Sequence, residues 1–391
     1  MSRIPNILFI STFYPKKDLL QYCQFVHEEA KALRRKGYHI SIINPRSDIK
    51  EIISWTLEDI PILCLPYQAW RTNYSYIINS IFLFKALKSL GEHYFKAFDF
   101  IHVHNCLPEG NAVYLLKKEF QLQMPIAVQI HDLNVFKGAY VRTPFIKYIF
   151  YKKSKQLYMT YDYCIGISNM VSDLIRSCLP SDSDRKVITS YNGYNPDIFN
   201  TRQSISASAG SPIRILFVGN LIELKGIRTL IHAYCQNYPL FSVPTELWIL
   251  GQGILEKEMR AIIHSYHMDE HISFKGYVLP EKVADYMRQC HIFAMPSTFE
   301  GLGCVYLEAM ACGLPCIACT GQGISEIIKN TFTGILIPPH DLPALKTSLL
   351  KLVNDSELRD HYKDMISRMI SDYTWDNTVE PIEKLYSHSM D

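Results

Sequence analysis

The sequence predicts an α/β protein of two doubly wound domains, and three observations predict it. Short β-rich runs alternate with helical periodicity, as in "NILFIST", "FVHEEAKALRRKGY" and "HISIIN", the pattern of parallel strands joined by helical crossovers. The pattern stops at "NTRQSISASAGSP", a small, polar and aperiodic stretch that reads as a linker. It then restarts at "IRILFVGN" and continues through "PCIACT". A chain of 391 residues also exceeds what one hydrophobic core usually serves, and 48% apolar residues are ample for two. The expected division is residues 1–200, a linker at 201–212, and a second domain from 213.

In the first half, "NILFIST" reads as a strand, because its apolar run is too short for a signal peptide or a membrane span. The greasiest run, "YIINSIFLFKAL", is broken by Asn79, Ser80 and Lys85, so a cytoplasmic location is the expectation. "DFIHVH", "GNAVYLLKKEF" and "IAVQIH" continue the strand–helix–strand alternation. Ligands of such sheets bind beyond the carboxyl ends of the strands, which singles out His104 after "FIHV" and His131 after "IAVQI". His102 and His104 share a strand face. Without a cysteine or carboxylate cluster in the nearby sequence, no metal site is expected from that pair.

Residues 137–160 carry six basic residues, no acidic one and six aromatics. That composition suits the surface of an anionic membrane, and a solvated helix face explains it too. Asp182, Ser183 and Asp184 follow Pro180 in a serine-rich stretch, which reads as a loop rather than a metal site.

In the second half, Gly219 follows the strand "ILFV", and Lys225 and Gly226 open the next helix. A lysine is electrostatically misplaced at a helix start unless an anion sits beside it, so Lys225 is expected to meet a diphosphate. Gly251 and Gly253 in "ILGQG" resemble a dinucleotide fingerprint, yet Glu256 stands where a third glycine is required, which argues against a nicotinamide cofactor.

"HIFAMP" is a strand closed by Pro296, and "GCVYLEAMAC" a helix stopped by Gly313 and Pro315. Gly301 and Gly303 at the bend between them let a ligand approach the backbone, and the amides opening the helix form an anion site. Glu300 precedes that helix and Glu308 lies in its second turn. Ionised carboxylates accept hydrogen bonds from the paired hydroxyls of a ribose or a hexose. A phosphate with two polyols describes a sugar nucleotide, gripped at opposite ends by the bend at 300–304 and the helix start at 225.

The eleven cysteines sit singly in apolar runs, and their odd number argues against a disulfide framework. Cys312, Cys316 and Cys319 straddle a helix end and a buried strand, where packing explains them better than a metal. With 40 Lys plus Arg against 38 Asp plus Glu, the net charge of +2 supplies no basic field for nucleic acid.

The arrangement "FVGNLIELKG", "ILGQG", "FKGYV", "MPSTFEGLGCVYLEAMACGLPCIA" and "TGILIPPHD" resembles the family 4 retaining glycosyltransferases of GT-B fold. "IHVHNCLPEG", "IHDLN", "CIGISNMVSDLI" and "VITSYNGYNPDIF" extend the resemblance through the first half. It is most similar to members that build bacterial envelope polysaccharides, such as teichuronic acid or capsule. The resemblance implies two Rossmann-like domains facing a central cleft, the second ending at 372, and a terminal helix over 373–391 that returns to the first. It implies a nucleotide-diphosphate sugar as donor, a glycan or lipid-linked acceptor, retention of configuration, and neither cofactor nor metal.

The resemblance also distributes roles. Glu300 faces the transferred sugar, Glu308 takes the ribose hydroxyls and Lys225 the diphosphate, with Gly219, Asn220 and Gly251 in the donor loops. The backbone of Gly301, Leu302, Gly303 and Cys304 touches sugar and phosphate, and Tyr277 and Val278 hold the base. His131 lies beside the reacting centre, with His104 and Gln24 on the acceptor side. The sequence departs from the family pattern at Asn220 in place of arginine, Gln24 in place of glycine, and Asn134 and Asn195 in place of aspartate. Asn220 and the altered first loop motivate one rival expectation, a non-catalytic nucleotide-sugar-binding subunit, and a sugar-nucleotide epimerase of the same fold is a second.

Overall fold

Two predominantly parallel sheets organise the chain in a computed structural model that describes residues 4–18, 23–70, 75–131, 144–180, 186–201, 211–329 and 332–390. The first sheet contains β1 (Asn6–Ile10), β2 (His39–Arg46), β3 (Ile53–Leu57), β4 (Ile60–Pro66), β5 (Phe100–His104), β6 (Ile126–Ile130), β7 (Tyr163–Gly166) and β8 (Val187–Thr189). Their order is β3-β4-β2-β1-β5-β6-β7-β8. Neighbours run parallel except at the edge, where β3 and β4 form an antiparallel hairpin. Its crossovers include α1 (Gln24–Arg35), α2 (Tyr76–Lys88), α3 (Glu92–Phe95), α4 (Asn111–Glu119), α5 (Pro144–Tyr158) and α6 (Asn169–Arg176).

The second sheet contains β9 (Ile213–Val218), β10 (Thr245–Leu250), β11 (Ile272–Gly276), β12 (Ile292–Ala294), β13 (Cys316–Cys319) and β14 (Gly334–Ile337). All pairings are parallel in the order β11-β10-β9-β12-β13-β14, which reverses direction between β9 and β12. Such a reversal opens a crevice at the strand ends where ligands of open α/β sheets bind. The helices around it are α7 (Ile227–Asn237), α8 (Glu256–Ser265), α9 (Pro280–Arg288), α10 (Cys304–Ala311), α11 (Leu342–Asn354) and α12 (Ser356–Met369).

Two structural units follow, Met1–Asn192 with Trp375–Asp391, and Gly193–Thr374. Residues 193–200, which the sequence reading groups with the first half, therefore belong to the second. Tyr194 bridges to Thr374, its N–H donates to Tyr373 O at 3.0 Å, and Arg288 donates to Ile198 O at 3.0 Å. Most of the expected linker, 202–210, lies outside the described residues, as do Asp182, Ser183, Asp184 and Asn134. Asn195 is described, and its side-chain oxygen accepts the Asp197 N–H.

The terminal segment, α13 (Trp375–Thr378) and α14 (Glu380–Met390), packs into the first unit. Trp375, Val379, Ile382, Leu385 and Tyr386 are buried with Ile7 and Phe9 of β1 and Val26, Ala30 and Leu33 of α1. All eleven cysteines are unbridged. Cys312, Cys316 and Cys319 are buried in the second core. Among the described residues no helix is long and apolar enough to cross a membrane.

Candidate active site

The switch point between β9 and β12 gathers the residues that the sequence singles out in the second unit. After β9 the chain makes a single 3-10 turn, Glu223–Lys225, and enters α7 through Gly226 at φ +69°. A Cβ at Gly226 would lie 2.1 Å from Pro296 O, so only glycine lets this loop close onto the segment that follows β12. The two loops are also stitched together: Thr298 N–H and the buried Ser297 hydroxyl both donate to Leu224 O at 2.9 Å.

This closure brings Lys225 Nζ to 2.5 Å from Glu300 Oε2. Ser297 Oγ lies 3.2 Å from the same carboxylate oxygen. Glu300 N–H donates to Gln322 Oε1 at 2.9 Å, which braces the bend from behind. The sequence reading sets Lys225 and Glu300 at opposite ends of one ligand. In the structure they meet, and the anion beside the lysine is the glutamate itself.

Gly303 caps α10 at φ +84°, and a Cβ there would meet Glu300 Cγ and Tyr306 Cδ2, each at 2.9 Å. Leu302 and Tyr306 are buried, and the Tyr306 ring packs edge-to-face on Phe293 of β12. That packing fixes the helix start, whose first amides have no intrahelical acceptor. Gly301, Gly303, Cys304 and Glu308 are half-buried along this segment. The Glu308 carboxyl has no hydrogen-bond or ion-pair partner among the described residues, and burial raises its pKa to about 7. It is poised to take donors that the protein does not supply.

The remaining donor-side residues line neighbouring strand ends. Gly219 follows β9 and Asn220 is exposed. Gly251, at φ +128°, lies so near that a Cβ would be 2.0 Å from Gly219 O, and at Gly253 one would be 2.4 Å from Leu221 O. Backbone approach between the two loops therefore explains this glycine pair without a dinucleotide. Tyr277 is 52% exposed beyond β11, with Val278 half-buried beside it.

In the first unit His104 and His131 also come together, with His104 Nδ1 2.9 Å from His131 Nε2. Phe25, next to Gln24 at the start of α1, packs on the His131 ring at 4.8 Å. Gln24 itself is half-buried, and most of the loop before it lies outside the described residues. Three residues that sequence reasoning missed complete the group. Glu29 of α1 is buried with its Oε1 4.0 Å from His104 Nε2, Gln129 donates to Glu29 Oε2 at 2.7 Å, and Tyr386 Oη is 2.6 Å from His102 Nδ1. Burial holds His102 and His131 down at about 3 and His104 well below the usual range, and pushes Glu29 up to about 8. Burial thus favours the neutral form of all four groups. A signal for Glu29 existed: it falls in helical phase with Val26, Ala30 and Leu33 on the buried face of α1.

Comparisons with known proteins agree with this architecture. The family described as "Glycosyl transferases group 1" matches residues 199–368, and "Glycosyltransferase Family 4" matches residues 24–198. An uncharacterized glycosyltransferase of Methanocaldococcus jannaschii is 26% identical over 317 residues, 81% of this chain and 82% of that one. The amylovoran biosynthesis glycosyltransferase AmsK of Erwinia amylovora is 28% identical over 232 residues, 58% of this chain and 56% of its own. The structure of Anabaena HepE in complex with UDP-glucose superposes with a TM-score of 0.72 at 14% identity, covering 98% of this chain and all of that one. Two Rossmann-like units, the switch-point residues and both family matches make this chain a glycosyltransferase of the family 4, group 1 type, with the GT-B fold.

Proposed function

We propose that the protein transfers a hexosyl unit from a nucleotide-diphosphate sugar to a glycan or lipid-linked acceptor, with retention of configuration. The observation that carries this reading is the switch-point cluster, where a cation, a carboxylate and a helix start stand together beside the unpartnered carboxyl of Glu308. In the transition state positive charge grows on the sugar ring and negative charge on the leaving diphosphate. Glu300 stabilises the first. Lys225 and the amides at 301–304 offset the second without reorganisation, so no divalent ion is required there. In the free protein Lys225 and Glu300 satisfy each other, and a diphosphate arriving at Lys225 frees the Glu300 carboxylate to face the sugar.

Glu308 accepts the ribose hydroxyls, with Gly219, Asn220 and Gly251 around the diphosphate and Tyr277 and Val278 beside the base. His131 orients the reacting sugar, and His104 and Gln24 lie toward the acceptor. A role in bacterial envelope polysaccharide synthesis is supported by the similarity to an amylovoran biosynthesis glycosyltransferase. It accords with a cytoplasmic protein that touches the inner face of the membrane through residues 137–160.

The test is transfer from a panel of nucleotide sugars, preceded by a thermal-shift screen, since a bound donor raises stability by mass action. Glu300→Gln is expected to keep nucleotide binding and lose roughly two or more orders of magnitude in turnover. Lys225→Ala is expected to weaken diphosphate affinity. Full turnover by the glutamine variant, or unchanged affinity in the alanine variant, would overturn the corresponding assignment. Binding without transfer or donor hydrolysis would favour a non-catalytic subunit, and altered sugar configuration without any acceptor an epimerase.

A further inference from the structure

The buried polar group of the first unit has a property that no single contact displays. His102 Nε2, His104 Nε2, Glu29 Oε1, Gln129 Oε1 and His131 Nδ1 are all buried without a hydrogen-bond partner among the described residues. Buried polar atoms left unsatisfied are strongly unfavourable, and five of them in one cluster call for partners. Glu29, His102 and His104 place one ligand atom apiece within 4.8 Å of one another, as a metal site would. The imidazoles of His102 and His104, however, stack 4.7 Å apart with planes only 9° from parallel. Their in-plane lone pairs therefore run side by side and do not converge on one ion.

Donor and acceptor roles give a different solution. We propose that Tyr386, His102, Gln129, Glu29 and His104 form one directional hydrogen-bonded chain that fixes His131 as the Nδ1–H tautomer. The Tyr386 O–H donates to His102 Nδ1, which leaves the proton of that ring on Nε2. His102 Nε2–H then donates to the Gln129 carbonyl, whose Oε1 is likewise buried and left over among the described residues. The Gln129 NH2 donates to Glu29 Oε2. Glu29 is a neutral acid in this setting, and its Oε1–H points to His104 Nε2 across the 4.0 Å gap, which a small side-chain shift closes. His104 therefore carries its proton on Nδ1 and donates it to His131 Nε2.

His131 is left with its proton on Nδ1, which has no hydrogen-bond partner among the described residues. The other four buried atoms of the group are each satisfied once, with no donor facing a donor. An ionised Glu29 reverses the sense of the last two links and leaves a bare charge in the core, because burial opposes it and Gln129 supplies a single hydrogen bond. Glu29 and Tyr386 are thus positioning residues that act through others. The inference rests on the proposed role of His131 only for the donor's purpose, since the tautomer exists with or without substrate.

The experiment is long-range nitrogen–proton correlation spectroscopy on the full-length protein carrying 15N-histidine, at neutral pH. His131 resonances are assigned by their loss in His131→Gln. Expected is a single tautomer of His131 protonated on Nδ1. Protonation on Nε2, a doubly protonated ring, or averaging between tautomers overturns the proposal. Glu29→Gln, whose NH2 replaces the acid O–H, is expected to keep that tautomer and to hold turnover within about threefold of the parent. Glu29→Leu, which cannot donate, is expected to release the tautomer and lower kcat about tenfold with little change in KM. An unchanged His131 tautomer in the leucine variant overturns the role of Glu29. Full turnover by His131→Gln, by contrast, removes the catalytic reading of His131 and leaves the tautomer assignment standing.

Discussion

At the scale of single residues, Glu308 makes the donor reading quantitative. Burial sets its carboxyl to titrate at about 7, so below that pH it is mostly neutral and above it mostly ionised. Only the ionised form accepts hydrogen bonds from both ribose hydroxyls at full strength, and bonds to a charged acceptor contribute about 1.5–3 kcal/mol. Affinity for a nucleotide sugar, whose diphosphate keeps its charge across this range, is therefore expected to rise between pH 6 and 8. Glu308→Gln should bind roughly tenfold or more weakly at pH 8 and lose the pH dependence. Calorimetric titration at several pH values checks both, and an equally steep rise in the glutamine variant would remove Glu308 from the donor site. Glu300, Glu308 and Lys225 are legible in sequence because glycines and prolines mark the bends that carry them. Their mutual geometry is not, since the 2.5 Å meeting of Lys225 with Glu300 depends on two loops far apart in the chain. Glu29 escapes for another reason: in "HEEAK" it looks like any solvated helix charge, and only the phase of the apolar face betrays it.

Elements show where patterning suffices and where it fails. The runs quoted for β1, β2, β5, β6, β9, β12 and β13 each fall on a strand, because buried parallel strands read as unbroken apolar runs. The β3–β4 hairpin was not anticipated. Its two-residue turn uses Glu58 and Asp59, both at positive φ, instead of the asparagine and glycine that usually announce such a turn. Gly226 is the element-level residue on which the site depends. Gly226→Ala adds a methyl that clashes with Pro296 O and strains a left-handed backbone, at a cost of about 3 kcal/mol or more. A lowered melting temperature together with weakened diphosphate binding is expected, and a variant with unchanged stability and binding would show that the two loops need not close.

The helix α5 raises a different element-level question. Phe145 is 70% and Tyr148 52% exposed, next to Lys152, which sits over the Tyr148 ring, and to Lys153 and Lys155. Ile78 and Ile81 of α2 are exposed too, and Tyr76 of α2 packs edge-on against the buried Phe150 of α5. Residues 137–143 lie outside the described part of this segment. Apolar side chains beside a row of lysines suit an anionic bilayer. Sedimentation with vesicles rich in anionic lipid is expected for the parent and to fall severalfold in Phe145→Asp/Tyr148→Asp. Equal sedimentation of both proteins would remove the membrane from the reading of α5.

At the scale of the whole molecule, the chain leaves its first unit after Asn192 and re-enters it at Trp375. The second unit is one continuous segment and the first is not, which gives the two different requirements for folding. Trp375, Val379, Ile382, Leu385 and Tyr386 complete the core of the first unit, and five buried side chains at about 1.5–3 kcal/mol each contribute on the order of 10 kcal/mol. That is comparable to the entire net stability of a typical domain, about 5–15 kcal/mol. A fragment of residues 193–374 is therefore expected to unfold cooperatively on its own, whereas residues 1–192 alone should be unfolded or insoluble. Joining 375–391 to the end of 1–192 through a flexible linker should restore a cooperative transition, because it returns the missing apolar face to the same chain. Calorimetry on the three fragments decides the matter, and a cooperative transition of the 1–192 fragment at the parent's temperature would mean that the terminal helices decorate this core without completing it. The same segment carries Tyr386, so its loss would also strip His102 of its partner and couple the integrity of the core to the row of groups behind His131.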